Sequence, residues 1–375
     1  MARRGERGHD RGGAMRPAPA VSLVLVAHRS SALLPAAVTA FRRELGALGL
    51  AGEVVVVEQS DDAEEADRAA ACAPDLLLRR ENRGYAAGVN AGVKASGGDV
   101  LLVANPDVEL CPGALALLLD ALSERWDVVG PQFELAGALF PPADEQRPAA
   151  ELRRRLALTS RRRWHRHLRS ELRRWDAVWT ATAPRQVPTL SGALLAFRAG
   201  LAARVGPWDE GFFLYFEETD WLRRARLGGA RLAIVPRARA IHRWGHAARA
   251  QAWAPTFAAS HRRYFDRWFP LSGPLVRRLP RPRPLPARPW SEAPEVPDGG
   301  GRRWLLSPAA EGFPAALVAP PHEPEAVAAA FVESCGLDQL LLTAVECNAG
   351  ELRGPYLWTS KAGPARTGAG PRAEG

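Results

Sequence analysis

From Val21 onward the chain alternates short β-branched runs with stretches of helical periodicity, and this alternation restricts the fold more than any other feature. Val21–Ala27 (VSLVLVA) is apolar without interruption, the pattern of a strand covered on both faces. Residues 33–48 have a helical period, 53–58 form a second strand-like run, 63–71 read as helix and 75–78 as a short strand. Residues 85–95 read as helix and 99–104 as another buried strand, with a helix opening near Pro112, a favourable first-turn residue. Such alternation predicts a mostly parallel central sheet with helices on both faces, an α/β fold. Farther on, 189–198, 231–235 and 238–242 read as strands, 217–227 as a helix, and 251–269 as the helix closing a main domain over 21–270.

Pro270, Pro274, Pro280, Pro282, Pro284, Pro286, Pro289, Pro294 and Pro297 then mark a semi-rigid linker over 271–300. Beyond it, 315–319, 325–333 and 339–345 read as strand, helix and strand, a small C-terminal α/β appendage over 301–360. Residues 1–20 and 361–375 read as disordered tails, the first basic but without the apolar core of a secretory signal. The apolar runs fall well short of the roughly 20 residues that a membrane span needs.

The net charge of +9 rests on arginine, since Lys94 and Lys361 are the only lysines. A GC-rich coding sequence explains that bias as well as an anionic partner does, so charge alone does not imply nucleic acid. Cys72, Cys111, Cys335 and Cys347 are far apart, which argues against a zinc site or disulfide framework and fits a reducing cytoplasm. Between 151 and 179 ten arginines interleave with Leu152, Leu156, Trp164, Leu168, Leu172, Trp175 and Trp179 at roughly helical spacing. This helical insertion is expected either to be a solvated basic face or to meet anionic lipid peripherally.

In open α/β sheets ligands bind beyond the carboxyl ends of the strands. Three polar clusters fall there: Ala27-His28-Arg29-Ser30, Glu58-Gln59-Ser60-Asp61 and Asn105-Pro106-Asp107. Each alone is equally a solvated loop with a helix cap; their coincidence points to a site. The glycines of Asn82-Arg83-Gly84-Tyr85-Ala86-Ala87-Gly88-Val89-Asn90-Ala91-Gly92 recur every four residues, lining one helical stripe that permits close approach. They do not follow the first strand, which argues against a dinucleotide fingerprint. Asp107 offers one hard oxygen to Mg²⁺ or Mn²⁺, with substrate phosphates supplying much of the shell. His242 is either a further ligand or a structural histidine. Glu217, Glu218 and Asp220 open a helix, where acids suit the macrodipole. Preceded by Trp208-Asp209-Glu210 and the run Phe212–Phe216, they also suit the floor of an acceptor pocket with a general base. A metal carboxylate followed by a base carboxylate fits group transfer from a diphosphate-activated donor.

The set Val21–His28, Asn82–Gly92, Leu101–Asp107, Ser191-Gly192-Ala193 and Trp208–Arg224 resembles the family 2 glycosyltransferases, and among them the rhamnosyltransferase-like enzymes of bacterial polysaccharide synthesis. The likeness runs from about 21 to 246. It implies a GT-A (Rossmann-like) fold and inverting, metal-assisted transfer of a sugar, a deoxysugar such as rhamnose, from a nucleotide diphosphate donor. The acceptor it implies is a glycan or lipid-linked saccharide at the cytoplasmic membrane face. On this resemblance Glu218 stands as catalytic base with Glu217 and Asp220, and Asp107 and His242 as metal ligands. The donor side takes Ala27, His28, Glu58, Ser60, Asn82, Gly84, Asn90, Asn105, Gly192 and Arg224, and the acceptor side Trp208, Asp209 and Glu210. Glu58 and Glu218 stand where the family usually has Asp, and His28 where Tyr is common. A carboxylate displaced by roughly 1.5 Å can cost about 10²-fold in rate, so an inactive, binding subunit is the alternative. A nucleic-acid-binding protein using the same arginines is a third reading, without a recognised docking motif to carry it.

Overall fold

The structure is a computed structural model, and it describes residues 20–243, 250–279, 286–294, 302–308, 316–319, 321–346 and 351–360. The tails and much of the proline-spaced stretch of the sequence reading lie outside these residues, as does Cys347.

Strand β1 (Val21–Ala27) is buried along its whole length, as its Val- and Leu-rich run predicts, and its one polar residue, Ser22, donates to Glu53 at 2.5 Å. It pairs in parallel with β2 (Gly52–Glu58) and with β4 (Val100–Ala104), and β2 pairs in parallel with β3 (Leu76–Arg79). Side chains of β1 alternate between two cores. Leu23 and Leu25 meet α1 (Leu34–Leu48), α2 (Ala63–Ala71) and α4 (Ala114–Glu124), while Val24 and Val26 meet α3 (Tyr85–Ala95). Helices therefore cover both faces of a parallel core, as the alternation predicts. The glycine stripe of α3 serves this packing: a Cβ on Gly88 or Gly92 would stand 2.5 Å or 2.3 Å from Val26 or Val24.

Beyond β4 the sheet becomes mixed. β9 (Leu194–Arg198) runs antiparallel to β4 and to β6 (Val128–Leu135). It is shorter than expected from sequence, because Ser191 turns the chain by accepting from the Ala193 N–H, leaving 189–193 as a loop. β10 (Leu232–His242) pairs in parallel with β6 and joins the two strands expected at 231–235 and 238–242. The register slips between Val235 and Arg239, where Pro236 has no N–H to give the ladder.

The arginine-rich stretch forms α5 (Pro148–Ala157) and α6 (Arg161–Trp179), the latter capped by Ser160 Oγ. Trp164, Leu168, Leu172, Trp175 and Trp179 of α6 are buried against the C-terminal strands β12 (Arg302–Ser307), β13 (Ala316–Val318), β14 (Gln339–Glu346) and β15 (Leu352–Thr359). Protein thus covers the apolar stripe of α6 and leaves the polar, arginine-rich side of the helix to solvent. The same C-terminal strands bury their other face on α11 (Pro324–Cys335), and β13 pairs with β7 (Ala138–Leu139), so they extend the central sheet. The remaining helices are α7 (Ala199–Val205), α8 (Glu217–Leu227), α9 (Ala250–Trp268) and α10 (Ser272–Arg278). No described helix is long and apolar enough to cross a membrane.

Candidate active site

A cavity of about 250 Å³ opens beyond the carboxyl ends of β1, β2 and β4. This is near the lower end of the roughly 300–1,000 Å³ common for small-molecule pockets. Its walls include His28, Ser30, Gln59, Asn82, Gly84, Tyr85, Asn105, Gly192, Phe213, Tyr215, Glu217, Glu218 and His242. A larger, shallower groove of about 720 Å³ runs along α9 past Asp209, Arg263 and Arg267, where Asp209 is already paired with both arginines.

Backbone pairing builds one wall. After β4, Asn105 N–H donates to Ala193 O at 2.9 Å, and the chain turns into β5 (Val108–Leu110), antiparallel to β10. That register sets Val108 opposite His242, and Arg243 N–H donates to Asp107 O at 3.1 Å. His242 Nε2 consequently lies 3.4 Å from Asp107 Oδ1, both side chains being buried. The imidazole is held between Phe133 and Phe140, with ring centroids 5.5 and 6.0 Å away. Sequence distance hides this pairing, since 135 positions separate the two residues.

The opposite wall is the start of α8. Tyr215 and Phe216 both have φ near +70°, a left-handed conformation costly for bulky residues, and Phe216 occupies the N-cap position. The strain reverses the chain and brings Glu217 and Glu218 into the cavity. Two glycines make room: a Cβ on Gly84 would sit 2.5 Å from Phe213 O, and one on Gly192 would sit 2.6 Å from Glu218 Cγ. Tyr85 N–H ties the two sides together by donating to Phe213 O at 2.8 Å.

Burial sets the electrostatics. Desolvation, then the neighbouring Glu218 charge, pushes the Glu217 carboxyl well above its usual range, and desolvation raises Glu218 as well. Glu218 keeps an edge open to the cavity. The Tyr85 hydroxyl is raised by burial and by the charges of Glu217, Glu218 and Asp107. Glu217 Oε2 and Tyr85 Oη are buried and have no hydrogen-bond partner among the described residues.

The site residues expected from sequence divide between this cavity and its frame. His28, Asn82, Gly84, Asn105, Gly192, Glu217, Glu218 and His242 line the cavity, and Asp107 stands behind it against His242. The others face elsewhere. Ala27 is buried in the sheet, and Glu58 accepts from Ser31 Oγ at 2.6 Å and from Ser60 N–H at 2.6 Å. Ser60 Oγ accepts from Arg29 N–H, so Glu58 and Ser60 hold the strand-end loops together. Asn90 pins Trp208 through both its backbone N–H and C=O and also donates to Glu210. Trp208 stacks on Trp221 at 4.3 Å, and Asp209 binds Arg263 and Arg267. Burial opposes ionisation of Asp209, but the Gly211 N–H and the two arginines outweigh it and lower the carboxyl. Asp220 is fully buried and accepts from Arg224 Nε at 2.8 Å and Trp268 Nε1 at 2.9 Å, while Arg224 also binds Val205 O and Pro207 O. Gln59, Tyr85, Phe213 and Tyr215 also line the cavity; the sequence placed them in the clusters 58–61, 82–92 and 212–216 without giving any of them a role of its own.

No group of three or more His, Cys, Asp or Glu side chains able to hold a metal occurs among the described residues. The Asp107–His242 pair, one carboxylate oxygen beside one imidazole nitrogen, fits a divalent ion such as Mn²⁺ better than Mg²⁺, with most of the shell left to substrate phosphates and water.

Residues 22–178 match the model of the family described as glycosyl transferase family 2. The chain is similar to the N-acetylglucosaminyl-diphospho-decaprenol L-rhamnosyltransferase of two strains of Mycobacterium tuberculosis, CDC 1551 and H37Rv. Identity is 31% over 186 residues in both, covering 46% of this chain. The match spans 59% of the length of these curated relatives. Among solved structures, "Crystal structure of S. aureus TarS 1-349" shares 14% identity over 67% of this chain and 72% of its own, with a TM-score of 0.41, a likeness too distant to carry an argument.

Proposed function

We propose that the chain is an inverting glycosyltransferase that moves a sugar from a nucleotide diphosphate donor to a hydroxyl of a saccharide acceptor. The observation that carries this reading is the convergence of Glu218 and the Asp107–His242 pair on one cleft at the carboxyl ends of parallel strands. The family match of 22–178 supports the same reaction class. Similarity to the mycobacterial relatives favours a deoxysugar such as rhamnose, and an acceptor carried on a lipid diphosphate.

In this mechanism Glu218 takes the proton from the acceptor hydroxyl. Its raised basicity suits the role, because a base is more effective as its pKa approaches the working pH. The acceptor oxygen bonds to the anomeric carbon as the bond to the diphosphate oxygen breaks, and the nucleoside diphosphate leaves with that electron pair. One displacement inverts the anomeric configuration. Asp107 and His242 would hold a divalent ion against the donor diphosphate, where such an ion neutralises charge on the leaving group. Burial and the neighbouring Glu218 charge push the Glu217 carboxyl well above its usual range, which disfavours two full charges side by side, and Glu218 is the one of the pair with an edge open to the cavity. Gly192 lets the Glu218 stem cross the loop at van der Waals contact and thereby fixes the base.

The test is transfer from nucleotide diphosphate sugars, deoxysugars first, in the presence of Mg²⁺ or Mn²⁺. Glu218→Gln should lower turnover by about 10²–10⁴-fold while nucleotide binding stays near wild type. Near-wild-type turnover in that variant removes Glu218 from the role.

A further inference from the structure

Two helices outside the cleft turn leucines toward solvent. Leu275 of α10 and the residues that flank the helix, Leu271 at its N-cap and Leu279 at its C-cap, are 62%, 86% and 42% exposed, whereas Gly273 and Val276 are buried. On α5, Leu152 and Leu156 are four apart and likewise exposed. The helices meet: Arg155 Nη1 donates to Leu279 O at 2.7 Å. Scattered exposed leucines are ordinary, but a set on two touching helices marks an interaction surface.

Its charge identifies the partner. Arg153 and Arg278 are exposed beside these leucines. The acids nearby are engaged, Glu151 with Arg155 and His261, and Asp266 with Arg277. The surface also adjoins the cleft through α9. Phe257 packs its exposed ring on Tyr215 and Phe216, and one turn later His261 bonds Glu151 of α5.

We propose that α10 and α5 form a docking surface for an anionic bilayer. The leucines enter the boundary between headgroups and acyl chains, and Arg153 and Arg278 meet the anionic headgroups. This is peripheral contact by exposed side chains and requires no spanning helix. It holds whether or not the cleft transfers sugar, because vesicle binding is read without turnover.

The test is co-sedimentation of the full chain with vesicles of phosphatidylcholine alone and mixed with phosphatidylglycerol. Binding is expected on the mixed vesicles, little on phosphatidylcholine, with a decline as salt screens the surface charge. Leu271→Ser combined with Leu275→Ser should lower binding about tenfold or more, with unchanged melting temperature and nucleotide binding, since burial of exposed leucine drives the contact. Arg153→Glu with Arg278→Glu should erase the preference for anionic vesicles. Failure of the wild type to bind mixed vesicles, or equal binding by the leucine variant, overturns the proposal. So does a wild-type dimer in light scattering that the leucine variant splits, which would assign the surface to a second copy.

Discussion

The two flanks of α8 put the same acidic chemistry to opposite uses. Toward the cavity, Glu217 and Glu218 are buried beside each other with few hydrogen bonds and raised pKa values. Toward α9, Asp220 is more deeply buried but satisfied by Arg224 and Trp268. A helix start favours all three acids through its dipole, so local sequence cannot separate them. Partners from distant segments do: Trp268 is 48 positions away, and Gly192 approaches Glu218 across a loop. The cavity flank trades stability for reactive groups, and the α9 flank supplies the rigidity that sustains it.

The largest effect on the α9 flank comes from Asp220→Ala. It removes the fully buried acceptor shared by Trp268 Nε1 and the partly exposed Arg224 and should cost about 3 kcal/mol, read by chemical denaturation, whereas Glu218→Gln should change stability little. Comparable losses in both variants would erase the contrast. Gly192→Ala sharpens it from the other side: its Cβ must displace Glu218, so turnover should fall about 10²-fold while nucleotide binding persists. Asn90→Ala frees the Trp208 loop and should cost about 1–3 kcal/mol, with a modest loss of turnover.

The smallest effect is one of pH. Glu217 has a folded-state pKa above the ordinary 4.5, so the native chain retains a proton that the unfolded chain has released. Its contribution is complete below 4.5 and is lost as pH rises through the raised value. Glu217→Gln should therefore melt higher than wild type at pH 8 and differ little at pH 4. For the same reason the acid limb of turnover should lie above 4.5, following Glu218.

Much of the parallel core was legible because β1, β2 and β4 are dominated by Val and Leu and α3 carries a glycine stripe. The cavity's position followed from the strand ends. What could not be read was partnership at long range. Glu58, Asn90, Asp209, Asp220 and Arg224 look like ligand-binding residues by type and spacing, yet their hydrogen-bonding capacity is engaged within the protein. What covers the α6 stripe was hidden for a related reason: an amphipathic helix shows that one face is covered, and the C-terminal strands that cover it begin more than a hundred residues later.

Those strands bear on how the molecule comes apart. Phe331 of α11 packs edge-on against Phe140, which in turn flanks His242, and Cys335 Sγ lies 3.9 Å from Arg243 O. A chain trimmed back to the family-matched portion would bare the tryptophans of α6 and remove the backing of the imidazole. Melting should accordingly occur as one cooperative event, with the terminal third serving as a keystone rather than a passenger.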